Sequence, residues 1–181
     1  FNDGIARIKK NKKFGFININ SEVVIPLVYD ELRDFKNDLA AAKINSKWGF
    51  INRKGDFIIN PKFNEVSNFD KNGLSKVIIK EKWGLINKVG EIIIPIEFEN
   101  YAFTYDDWQS SFYLKACKLK GILGIDEICG LYDNQGNEIL PIIYDEIDKV
   151  DNYSYYFDDK KHEYFHVSLN KKWGVENNNN E

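Results

Sequence analysis

Apolar and polar positions alternate in short runs along most of this chain. Ile5, Leu39 and Leu74 each open such a run, with a small residue next (Ala6, Ala40, Ser75) and an apolar one two further on (Ile8, Ala42, Val77). Arg7 and Lys9, Ala41 and Lys43, and Lys76 and Ile78 fill the intervening positions, the pattern of a strand with one face toward water. A second run behaves differently. Trp83, Leu85 and Asn87 share one face while Gly84 and Ile86 share the other, so both faces carry apolar groups and a central strand is expected. A glycine inside such a strand implies that another backbone or ring lies close over it. The third run, Glu91 to Ile94, is β-branched and bounded by Gly90 and Pro95, which is again strand chemistry. No window sustains a 3.6-residue period, so helices should be few and short.

Short polar links join the three runs. Ser46-Lys47 and Glu81-Lys82 suit tight hairpin turns, and Lys54-Gly55 and Val89-Gly90 suit the next pair, with glycine supplying positive φ. Proline lacks the N–H a central strand needs, so Pro26, Pro61, Pro95 and Pro141 are expected to stop their strands.

These runs recur. Trp48-Gly49-Phe50-Ile51-Asn52 returns as Trp83-Gly84-Leu85-Ile86-Asn87, with earlier and later copies at Phe14-Gly15-Phe16-Ile17-Asn18 and Trp173-Gly174-Val175-Glu176-Asn177. A worn copy is Cys129-Gly130-Leu131-Tyr132-Asp133. The first four blocks are each followed, in register, by an apolar run, a proline and then an aromatic–polar pair: Tyr29-Asp30, Phe63-Asn64, Phe98-Glu99 and Tyr144-Asp145. One repeat is therefore a three-stranded antiparallel meander of about 34 residues plus a connecting segment, too small to bury its own apolar face without neighbours.

The motif Lys-Trp-Gly-Phe-Ile-Asn, then Gly, an apolar run, Pro, an aromatic and an acid, resembles the bacterial WG-repeat family, also called KWG repeats. The likeness covers nearly the whole chain and is most specific in the first 100 residues. It implies a β-rich repeat protein and brings no shared catalytic residues with it.

The fold expected is all-β: three-stranded meanders stacked in an open solenoid-like array, with a closed β-propeller as the alternative. Residues 1–181 read as a single array anchored at Gly15, Gly49, Gly84, Gly130 and Gly174. The periodic tryptophans Trp48, Trp83 and Trp173, with Phe14 in the equivalent place, should form an internal stacked ladder. Glu176 replaces the isoleucine of the other blocks and marks the last strand as an exposed edge, where charge discourages edge-to-edge pairing.

Composition narrows the function classes. The 25 Lys and Arg against 28 Asp and Glu leave a net charge of −3, which argues against a dedicated nucleic-acid surface. No apolar run is long enough to span a membrane, and no targeting segment is visible within these residues. Position 1 is Phe and the chain holds no Met, so it reads as a piece of something longer, of unassigned compartment. Cys117 and Cys129 flank a short Gly121-Ile122-Leu123-Gly124 segment; a single bridge across a hairpin is open to them, and an unpaired buried pair is the more usual outcome.

The late repeats are longer than the early ones, and the extra residues read as insertions near 99–120 and 145–163. Insertions at one point of successive repeats project on one face of an array. These hold Tyr101, Phe103, Tyr105 and Trp108, then Tyr153, Tyr155 and Tyr156, interleaved with acids. Exposed Tyr and Trp make good recognition groups, whereas a structural role would have the rings cap the apolar end of the stack.

Other constellations are weaker. His162 and His166 have helical ligand spacing, but on a strand they stand about 13 Å apart. Asp126-Glu127 and Asp145-Glu146-Asp148 lack the alternating oxygen ligands and central Gly of a calcium loop. Lys9-Lys10 and Lys12-Lys13 read as a solvated hairpin tip rather than a phosphate site. There is no phosphate loop, nucleophile elbow or Cys–His motif. The reading is a non-catalytic module, with no metal or cofactor, that presents a face to another protein; the alternative is a carbohydrate- or cell-envelope-binding module using the same aromatics.

Overall fold

The computed structural model describes residues 4–99, 113–120, 126–133, 135–149, 155–157, 160–162 and 164–177. Among them every regular element is a strand, and no sheet closes into a barrel. The chain divides into two compact units, Phe1–Glu97 and Phe98–Glu181.

Each repeat builds one small antiparallel sheet. The first is β1 (Ile5–Lys10), β2 (Lys13–Asn18) and β3 (Val23–Tyr29) in that order. The second runs β4 (Glu31–Leu32), β5 (Ala40–Ile44), β6 (Lys47–Ile51), β7 (Phe57–Phe63), and the third β8 (Glu65–Val66), β9 (Leu74–Ile79), β10 (Lys82–Asn87), β11 (Ile92–Phe98). β12 (Tyr113–Lys120), β13 (Asp126–Asp133) and β14 (Glu138–Tyr144) form the fourth. β15 (Glu146–Lys149), β18 (Tyr164–Leu169) and β19 (Lys172–Asn177) form the last, in the order β15-β18-β19, while β16 (Tyr155–Phe157) and β17 (Lys160–His162) make a separate hairpin. The all-β repeat architecture expected from the pattern is the one observed.

The details correct that pattern in several places. The segment after each aromatic is not a plain connection. Glu31 and Leu32 pair with Lys43 and Ala42, and Glu65 and Val66 pair with Ile78 and Val77, so the chain leaving one sheet becomes the edge strand of the next. Nor do the prolines stop their strands: Pro26, Pro61, Pro95 and Pro141 lie inside β3, β7, β11 and β14. Along β2 the partners of Phe14 and Phe16 are Tyr29 and Ile25, so the opposing strand carries extra residues there, and Pro26 sits in that bulge where no ladder N–H is required. The tight turns fall one residue earlier than expected, at Asn45-Ser46 and Lys80-Glu81, with both residues at positive φ as a type I′ hairpin demands.

Packing in the first unit follows from small residues. Ala40, Ala41 and Ala42 of β5 are all buried, Ala40 and Ala42 against Phe16, Ile25, Tyr29 and Phe35, and Ala41 against Phe50, Phe63 and Phe69. That strand was expected to show one face to water; three successive alanines instead serve two cores. Ring pairs tie the sheets, Phe16 to Phe35 at 5.1 Å and Phe50 to Phe69 at 4.6 Å. Each fully buried aliphatic or aromatic group here contributes about 1.5–3 kcal/mol, and that burial holds the array together.

Cys117 and Cys129 face each other directly in the β12–β13 ladder and are bonded, contrary to the expectation of an unpaired couple. The ladder explains it. Gly130 pairs with Ala116, whereas Gly84 pairs with Val77, so part of this repeat's extra length lies in its hairpin and brings the two sulfurs opposite each other.

Candidate functional site

The Trp-Gly block is held by what lies over its glycine. A β-carbon on Gly15 would stand 2.5 Å from the Ile25 carbonyl oxygen and 2.9 Å from the Pro26 carbonyl carbon. On Gly84 it would meet the Ile94 oxygen at 2.5 Å and the Pro95 oxygen at 2.7 Å. Gly49 lies under Ile59, Asn60 and Pro61 in the same way, and Gly130 under Leu140 and Ile142. The proline bulge drops its backbone onto the central strand at the one residue without a side chain. Glycine and proline of the motif are thus two halves of one contact.

The asparagine closing the block has its own task. Asn52 Oδ1 accepts hydrogen bonds from the backbone N–H groups of Lys54 (2.8 Å) and Asp56 (3.0 Å). Asn18, Asn87 and Asp133 repeat this arrangement, and it shapes the turn into the proline-bearing strand.

β19 carries the last copy of the motif. Among the described residues it pairs only with β18, and a β-carbon on Gly174 would meet nothing within 4 Å. Trp173 is 58% exposed, whereas Trp48 and Trp83 are buried. Of the rings expected in an internal ladder, Trp48 and Trp83 are enclosed and Trp173 is not. Trp48 lies beneath the Arg33 guanidinium at 4.8 Å and Trp83 beneath the Lys76 ammonium at 5.6 Å. Val175 on the same strand is also exposed.

A cleft of about 370 Å³ runs along it, walled by Tyr144, Val167, Leu169, Trp173 and Gly174. The Tyr144 ring is buried, which pushes its hydroxyl up to about 12, and its hydrogen bond to the Glu176 carboxylate adds to the rise. The cleft floor is thus an uncharged phenol that donates to the edge strand at neutral pH.

The seven aromatic candidates fare differently. Tyr101, Phe103, Tyr105, Trp108 and Tyr153 lie outside the described residues; Tyr155 and Tyr156 fall in β16, in register with His162 and Lys161. His166 is exposed on β18, between Asp148 and Val175 of the neighbouring strands. No helix among the described residues is long and apolar enough to cross a membrane.

Comparison with known proteins adds the following. The family model described as the WG-containing repeat matches the chain four times, at residues 14–48, 48–83, 83–108 and 130–157. The third and fourth matches take in all seven aromatic candidates. No curated protein matches. A solved structure described as that of the eukaryotic initiation factor is similar with a TM-score of 0.42 and 11% identity. The alignment covers 96% of this chain and 48% of that one, so the present chain spans about half its length.

Proposed function

This chain belongs to the family of WG-containing repeats, and on that premise we propose that it is a non-catalytic repeat module that presents a face to another protein, with the late-repeat insertions as the contact region. The observation that carries this reading is that β15 and β18 pair with each other while the chain between them forms a separate hairpin, β16–β17, which bears Tyr155 and Tyr156. Tyrosine offers a large apolar body with a polar tip, a side chain enriched where one protein grips another.

Cross-linked capture with the wild type and with a Tyr155→Ala, Tyr156→Ala variant tests it. A protein held by the wild type should be lost by the variant, whose circular dichroism should be unchanged. The same proteins held equally by both, or none held by either, would refute the reading.

A further inference from the structure

Two cysteines and a carboxylate converge inside the fourth sheet. Cys117 and Cys129 are 1% and 3% exposed, and Glu127 precedes Cys129 by two residues on β13, which places both side chains on one face of the sheet. One ligand atom from each of the three lies within 4.8 Å of the others. Independently, Glu127 Oε1 is buried and has no hydrogen-bond partner. A buried carboxylate oxygen left unmatched costs about 1–3 kcal/mol, so its position calls for a partner that the disulfide form does not supply.

We propose that, once its disulfide is reduced, this cluster binds a thiophilic divalent cation, with Zn²⁺ as the reference ion, through Cys117, Cys129 and Glu127. A dithiol reductant breaks the Cys117–Cys129 bond, passes two electrons and two protons to the sulfurs, and is itself oxidised to a disulfide. The ion then displaces the two thiol protons to solvent and takes two thiolates and the carboxylate, with water as the fourth ligand. On a tetrahedral ion with Zn–S near 2.3 Å the sulfurs stand about 3.8 Å apart, a separation that two directly opposed strand residues reach by side-chain rotation. Two thiolates select zinc over magnesium or calcium. The walls of Leu131, Leu140 and Val167 keep the site dry, and half-buried Glu127 gives the ion its way in.

The site also explains the worn motif. Cys129 occupies the place of Trp48 and Trp83, and a ring there would fill the space the ion needs. This inference is independent of the β16–β17 hairpin.

The full chain would be reduced with a dithiol, desalted under nitrogen, and titrated with Zn²⁺ against a chromophoric chelator. Co²⁺ would serve as a second probe for its thiolate charge-transfer band. The reduced chain should bind one equivalent, the oxidised chain none, and Glu127→Gln at least about tenfold more weakly. Thermal melting gives a readout that tolerates loosening on reduction: Zn²⁺ should raise the midpoint of the reduced chain and leave the oxidised chain unchanged. Equal binding by oxidised and reduced protein, equal affinity of Glu127→Gln, or no shift of the reduced midpoint would each overturn the proposal.

Discussion

Replacing Gly49 and Gly174 with alanine, one at a time, separates the motif's sequence from its contact. Both follow a tryptophan in a central-type strand and neither has positive φ, so any difference must come from what lies above them. At Gly49 the new methyl would stand 2.8 Å from the Pro61 nitrogen and 3.0 Å from the Asn60 carbonyl carbon, with the Ile59 oxygen closer still. All three are backbone atoms, so relief requires β7 to move as a whole against β6. Forcing one extra carbon into such a site costs about 1–3 kcal/mol, and an immobile neighbour places it at the upper end. Removing glycine from a strand returns about 0.5–1 kcal/mol. The net expectation for Gly49→Ala is a loss of about 2 kcal/mol; for Gly174→Ala, where only the second effect operates, it is a gain of about 0.5–1 kcal/mol. Urea unfolding followed by far-ultraviolet circular dichroism reads both. With a slope of about 2 kcal/mol per molar urea, Gly49→Ala should lower the midpoint by about 1 M and Gly174→Ala should raise it slightly. Two variants that agree within about 0.5 kcal/mol would refute the idea that proline and glycine form one contact.

Three smaller perturbations test other parts of the repeat. Asn52→Ala removes the acceptor for the Lys54 and Asp56 amides and should cost about 1–2 kcal/mol in the same melts. Ser21 sits at φ 63° where the other repeats place Gly55, Gly90 and Gly136, so Ser21→Gly should stabilise by about 0.5–1 kcal/mol. Tyr144 holds its proton more tightly in the fold than its ordinary value of 10.0, so its contribution is complete below pH 10 and is lost as pH rises toward about 12. Stability measured across that window should fall less steeply for Tyr144→Phe than for the wild type.

The period, the glycine anchors and the close approach over Gly15, Gly49, Gly84 and Gly130 were legible, because each leaves a residue of distinctive type at fixed spacing. What escaped depends on partners rather than on residues. A two-residue strand such as Glu31–Leu32 is too short to show alternation, and only its pairing with Lys43 and Ala42 reveals it. Pro61 reads as a stop unless the bulge that frees it from the ladder is known. Lys80 and Glu81 carry no turn chemistry, yet the register of Ile79 with Lys82 compels positive φ on both.

The central functional claim is that the β16–β17 insertion contacts another protein, and amide hydrogen exchange across Tyr155–Phe157 and Lys160–His162 tests it most directly. Addition of a captured partner should slow exchange in that hairpin and leave β5 and β9 unchanged. Partner binding that leaves exchange in the hairpin untouched would contradict the account.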